Sequence, residues 1–184
     1  MSKDQNLLPK HILRIAFLSV LFSGKCPKIP GTIGSFVSVL LGLPILYYSI
    51  NTFFLLAVLI GLIAIREITI WENYTQKHDE KWIVIDELVG VWIAMALASL
   101  SFGIHIIGIA SAFVLFRIFD VWKPSIIGRI DRQVPGGLGV VGDDFVAGIL
   151  AGIASLLVIQ GCITLGIPLN LYMDTFGMQG KKTL

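Results

Sequence analysis

Two pairs of adjacent carboxylates stand at the threshold of long apolar stretches: Asp86-Glu87 ahead of Leu88, and Asp143-Asp144 ahead of Phe145. Between them the chain interleaves bases with acids, as Arg117, Asp120, Lys123, Arg129, Asp131 and Arg132. A single carboxylate at a helix start caps free N–H groups and complements the dipole. Two adjacent acids at each of two helix starts ask for more, because carboxylates brought close repel unless a cation lies between them. A hard divalent cation takes oxygen ligands, and Mg²⁺ commonly uses one or two carboxylates together with a substrate phosphate. The bases supply the other half of that chemistry, since Arg forks match phosphate oxygens and Lys acts as a point charge. Arg117 and Asp120 are three residues apart and share a helix face, as do Asp120 and Lys123. Pro124 sets a helix boundary behind them. Salt bridging between neighbours explains any one of these pairs equally well; their concentration points to a site for a metal and a phosphate.

Two glycine-rich stretches adjoin these residues. Pro30-Gly31-Thr32-Ile33-Gly34-Ser35 leads into one apolar run, and Pro135 to Gly142 leads into Asp143. A glycine-rich loop entering a helix can cradle phosphate with backbone N–H groups; a turn and helix cap is the plainer alternative. Neither stretch is a P-loop, for want of Gly-Lys-Ser/Thr, and neither follows a strand as a dinucleotide fingerprint would. Other phosphatase signatures are missing. Six residues after Cys26 comes Thr32 rather than an arginine, Asp120 is followed by Val121 and Trp122 rather than by a second aspartate, and 117–144 holds no histidine. His11, His78 and His105 have no zinc-ligand spacing. Glu67, Glu72, Asp79 and Glu80 read as the solvated end of a helix.

The elements that must position these residues are apolar helices. Hydrophobic residues make up 55% of the 184 and charged residues 14%, where an average soluble domain has about 25% charged. Mean hydropathy is +0.85. So few charges cannot cover a soluble globule, which excludes disorder, a coiled coil and an ordinary cytosolic enzyme. A net charge of +2 is too small for nucleic-acid binding by bulk field. A spanning helix needs roughly 20 mostly apolar residues. Candidates run from Ile33 to Ser49, from Thr52 to Ile65 and on past Trp71, from Leu88 to Ala98, from Ile104 to Phe119, and from Phe145 to Ile167. The second and third reach spanning length only with their polar ends included. This predicts an all-α, compact, polytopic bundle of about five apolar helices, one domain over 1–168 with a tail at 169–184.

Segments 1–32, 66–87 and 117–144 carry 12 of the 14 Lys and Arg residues. The positive-inside rule makes all three cytoplasmic, so every motif-bearing segment shares one membrane face. Lys181 and Lys182 then fall outside, unless 168–184 lies along the interface, as the helical spacing of Leu169, Tyr172, Met173 and Phe176 suggests. Residues 1–29 read as an amphipathic N-terminal segment with an uncleaved surface helix over 7–23. Its apolar core is short for a signal peptide. Small residues recur every fourth position, at Gly34, Ser38 and Gly42 and at Ala147/Gly148 and Ala151/Gly152, a spacing that lets helix backbones approach closely in lipid. No internal or inverted repeat is visible, which weighs against a transporter. Cys26 and Cys162 form neither a metal motif nor a disulfide scaffold.

Four elements, PGTIGS at 30–35, IDELVG at 85–90, FRIFDVWKPSIIGRIDR at 116–132 and GGLGVVGDDFVAGI at 136–149, occur in the order found in one family. The sequence resembles the phosphatidylglycerophosphatase A family over about 30–150. The resemblance implies an all-α fold and a Mg²⁺-dependent phosphoric monoester hydrolase of the inner, cytoplasmic membrane. Its substrate would be phosphatidylglycerophosphate in the bilayer, and its products phosphatidylglycerol and inorganic phosphate. Carried over by position, Asp86, Glu87, Asp143 and Asp144 become metal ligands. Asp120 becomes nucleophile or water-activating base, with Asp131 as the second choice. Arg117, Lys123 and Arg132 would hold phosphate oxygens, and Thr32 and Ser35 would complete the phosphate pocket. Two alternatives stand beside it: a hydrolase or transferase for another phosphorylated lipid, and a small channel or transporter with an acidic mouth. The apolar runs argue against the second, because an ion path needs polar groups at mid-membrane depth.

Overall fold

The computed structural model describes residues 7–78 and 80–167, in seven α-helices: α1 (Leu7–Leu18), α2 (Pro30–Tyr48), α3 (Ile50–Thr75), α4 (Ile85–Leu100), α5 (Ile106–Trp122), α6 (Ile126–Gln133) and α7 (Gly137–Thr164). Asp79 and the tail from 168, with the interfacial helix expected there, lie outside the described residues.

Local chemistry sets the helix ends. Pro30 occupies the first turn of α2, where its missing N–H costs nothing. Ser49 alone separates α2 from α3, and its Oγ accepts the Thr52 N–H at 3.2 Å. α5 ends where Lys123 turns left-handed at φ 46°. The surface helix expected over 7–23 stops at Leu18, because Val20, Leu21 and Phe22 all take positive φ. The chain is held in that turn by burial of Leu18 and Val20 and by the Val84 N–H donating to the Leu18 carbonyl at 2.9 Å.

α4 is the hub. It packs on α2, α3, α5 and α7, and 13 of its 16 residues are buried. Small residues allow this. A Cβ on Gly148 would lie 2.3 Å from the Gly90 carbonyl oxygen, and one on Gly42 would meet the Trp92 indole at 2.7 Å. That indole donates to the Ser38 carbonyl at 2.7 Å. The four-residue spacings in the sequence are thus the seams along which α2 and α7 clasp α4.

The expectation of about five spans is corrected to three helices long and apolar enough to cross a membrane: α2, α3 and α7. At 1.5 Å per residue they reach about 28, 39 and 42 Å, against a hydrocarbon core of roughly 30 Å. α4 and α5, at about 24 and 26 Å, fall short. α4 is apolar because protein surrounds it. The outward side chains of α2, α3 and α7, among them Phe36, Leu40, Leu55, Leu59, Leu62, Ile153 and Leu157, form an apolar exterior that suits lipid.

Candidate active site

The antiparallel run of the helices brings the N-termini of α2 and α4 to the same end of the bundle as the C-terminus of α5, α6 and the first turns of α7. A cavity of about 240 Å³ opens there, room for roughly eight waters. Asp86 and Glu87 enter it from the first turn of α4, where the helix dipole favours negative charge. Arg117 and Asp120 come from the last turns of α5, Asp131 from α6, and Asp143 and Asp144 from α7.

α7 already begins at Gly137, so Asp143 and Asp144 lie about two turns inside the helix rather than at its start. The capping explanation for that pair fails. The loop reading of Gly137–Gly142 fails with it, because these residues are helical; the Gly137 N–H is taken by Thr69 Oγ1 at 3.0 Å. Both acids are 3% exposed. Asp144 has Asp120, Asp86, Asp143 and Glu87 as electrostatic neighbours.

Two cations organise the carboxylates. Arg117 donates from one nitrogen to Asp120 Oδ2 at 2.6 Å and to Ser35 Oγ at 3.4 Å, and stands 3.5 Å from Glu87 Oε1. Lys123 donates to Asp131 at 2.5 Å and to Asp143 at 2.7 Å. Burial would by itself push the Lys123 ammonium toward the neutral form. The hydrogen bonds and charges of Asp131 and Asp143 outweigh it and hold the pKa above the usual lysine range. Lys123 is therefore a fixed positive charge at any physiological pH. Gly31 closes the α2 side: a Cβ there would lie 2.3 Å from Glu87 Oε1 and 3.1 Å from an Arg117 nitrogen.

Eight of the eleven residues singled out in the sequence line this one cavity: Asp86, Glu87, Arg117, Asp120, Lys123, Asp131, Asp143 and Asp144. Ser35 stands behind it, buried, its hydroxyl donating to the Gly31 carbonyl at 2.8 Å while it touches Arg117. Thr32 and Arg132 are not in the lining; Arg132 is exposed and lies over Gly128. His78 and Lys81 line the cavity unforeseen. Lys81 stands five residues before Asp86, the signal that could have included it. Glu72, read as a solvated helix end, instead pairs with His78 at 2.6 Å, and Glu67 with Arg14 at 2.7 Å.

Six carboxylates thus face Arg117, Lys123 and Lys81 around one small volume. A phosphate dianion entering such a cavity meets an excess of negative charge unless a cation comes with it. Among the described residues, no group of three or more His, Cys, Asp or Glu side chains is arranged to hold a metal by itself. Mg²⁺ does not require such a cage: it keeps several waters and binds through one or two carboxylates plus phosphate oxygens. The hard oxygen donors here fit that mode.

Residues 16–159 match the family described as Phosphatidylglycerophosphatase A. The chain is 37% identical over 149 residues to the Phosphatidylglycerophosphatase A of Escherichia coli strain K12, covering 78% of this chain and 79% of that one. It is 34% identical over 153 residues to the protein of the same name in Haemophilus influenzae strain Rd, covering 82% and 89%. A Bacteroides thetaiotaomicron protein provisionally named as a phosphatidylinositol-3-phosphatase is 33% identical over 148 residues, covering 74% of this chain and 90% of its own. No solved structure matches the chain.

Proposed function

The chain belongs to the phosphatidylglycerophosphatase A family, and from that premise we propose that it hydrolyses the phosphate monoester of phosphatidylglycerophosphate at the cytoplasmic face of the membrane. The products are phosphatidylglycerol and inorganic phosphate. The observation that carries this reading is the convergence of Arg117, Asp120, Lys123 and the two acid pairs on one cavity at the end of an apolar bundle. A lipid headgroup sits at that depth.

Arg117 presents its guanidinium to the phosphate oxygens while keeping Asp120 2.6 Å away, so the same residue binds the substrate and orients the reacting carboxylate. In the hydrolytic step water oxygen bonds to phosphorus as the bond from phosphorus to the glycerol oxygen breaks. Asp120 takes the proton of that water and returns it to the leaving oxygen, which departs as the alcohol. In the other route Asp120 itself bonds to phosphorus as the glycerol oxygen leaves, and water then attacks phosphorus to release inorganic phosphate and the free carboxylate; acid-quenched protein whose Asp120 is reduced by borohydride to homoserine separates this route from direct attack. Lys123 adds a fixed positive charge, and it bridges Asp131 and Asp143, offsetting the repulsion between those carboxylates. Positioning and charge neutralisation of this kind account for most of the catalysis of phosphoryl transfer. Asp86, Glu87 and Asp144 would hold Mg²⁺, with Asp143 engaged by Lys123 beside them. When bound, the ion neutralises charge on the phosphate.

Purified protein in detergent should release inorganic phosphate from phosphatidylglycerophosphate. Absence of release under all divalent-cation conditions would overturn the reading. The Bacteroides relative favours a second substrate, phosphatidylinositol 3-phosphate, and the same assay compares the two by kcat/KM. Against a channel, the large side chains buried below the cavity are apolar, among them Leu46, Phe53, Val91, Ile93, Met95 and Phe116.

A further inference from the structure

Resting on the lipid-phosphatase reading, we infer that the groove between α2 and α5 holds an acyl chain of the substrate. Phe36, Val39 and Leu43 of α2 and Ile106, Ala110 and Phe113 of α5 line a groove of about 320 Å³ with almost no polar surface. The two helices are antiparallel and touch sparingly, which leaves the gap. Their cavity-end residues are Gly31 and Arg117, in contact range of one another through the Gly31 position. Phe113 is four residues from Arg117 and Phe36 five from Gly31, so the groove begins about 6–8 Å from the cavity and continues for about 10 Å along both helices. The rings of Phe36 and Phe113 meet edge-on at 6.4 Å at the end nearer the cavity.

The groove therefore leads away from the phosphate site in the direction a lipid tail must take. Its occupant is set by that alignment along α2 and α5: a molecule with its phosphate at Arg117 places its first methylenes over Phe36 and Phe113. Burial of those methylenes adds binding energy that a headgroup alone lacks.

Ala110 is exposed in the groove wall, so Ala110→Trp fills the groove without entering the core. Leu157→Trp, at an exposed position on α7, is the control. The readout is the ratio of kcat/KM for dipalmitoyl phosphatidylglycerophosphate to that for its deacylated, water-soluble headgroup. Ala110→Trp should lower this ratio about tenfold, the equivalent of losing one or two buried methylenes, and Leu157→Trp should leave it near the wild-type value. An unchanged ratio in Ala110→Trp overturns the groove. Independently of turnover, phosphatidylglycerol carrying a diazirine in its acyl chain should photolabel peptides containing 36–43 or 106–113, and the label should fall in Ala110→Trp. Labelling that ignores the substitution also overturns the groove. Wild-type protein that releases phosphate from neither substrate, yet labels at the groove, would defeat the phosphatase reading and leave the lipid groove standing.

Discussion

Gly90 and Gly148 meet backbone to backbone, and each stands four residues after an acid of the cavity: Asp86 on α4 and Asp144 on α7. One helical turn therefore separates the closest crossing of the two helices from the two carboxylates. The spacing of the acids is fixed by the absence of a side chain at the crossing.

Gly148→Ala should break this relationship. Its Cβ would lie 2.3 Å from the Gly90 carbonyl oxygen, which backbone displacement alone can relieve. Overpacking of this kind costs about 1–3 kcal/mol, and phosphate release should fall with it. Gly161→Ala has nothing within 4 Å and should be neutral or up to about 1 kcal/mol stabilising through helix propensity. Thermal unfolding in detergent compares the two, and equal midpoints would remove the crossing from the account.

Asp144→Asn separates charge from shape. Asp144 is interior to α7, so no cap is lost and the fold should persist. Turnover should drop about 100-fold or more, the scale on which a single electrostatic contribution to a transition state is felt. A folded variant with near-normal turnover would shift the metal toward Asp86, Glu87 and Asp120.

Arg117→Lys and Arg132→Gln test the division the structure draws between two arginines of one motif. One guanidinium nitrogen of Arg117 already serves Ser35, Glu87 and Asp120; a lysine ammonium in its place has no second nitrogen to offer the phosphate, so turnover should fall about 100-fold. Arg132 is exposed and outside the cavity lining, and its loss should change kcat/KM little. The reverse ranking would move the phosphate site to the outer face of α6.

Metal removal is read in two ways. EDTA should abolish phosphate release and Mg²⁺ restore it. Because a ligand that binds the folded state stabilises it by mass action, Mg²⁺ should also raise the unfolding temperature of the wild type, and do so less for Asp144→Asn. Full activity in metal-free protein would end the magnesium proposal.

Sidedness is tested by cysteine labelling in intact cells, in a background with Cys26→Ser and Cys162→Ser. A membrane-impermeant thiol reagent should miss Ser125→Cys, beside the cavity, and reach Ser101→Cys, at the opposite end of α4. Both positions are exposed. Labelling of Ser125→Cys from outside would place the cavity on the other face.

The residues that gather at the cavity were more legible in the sequence than the membrane topology. Asp86, Asp120 and Asp144 stand out because charge in an apolar chain is expensive and must be explained locally. Hydropathy cannot tell a neighbour made of lipid from one made of protein, so α4, wrapped on four sides, read as a span. The start of α7 was misplaced for a related reason: Gly137, Gly139 and Gly142 look like a loop in sequence, but Gly137 and Gly139 are helical glycines chosen for close approach to Ile65 and Val134. His78 carried no periodic signal at all, because it reaches the cavity from an irregular connection.

Enclosure of α4 also bears on how the protein is made. α2 and α3 form an adjacent hairpin of long apolar helices that can enter the bilayer as soon as it is synthesised. α4 emerges next, short, with Asp86 and Glu87 at its head, and the helix that covers it most extensively is α7, roughly 50 residues later. Until α7 arrives the nascent chain has neither the wall that shields α4 nor the carboxylates Asp143 and Asp144. Synthesis of α7 thus completes the packing and the cavity in one event, and a chain terminated before it lacks both.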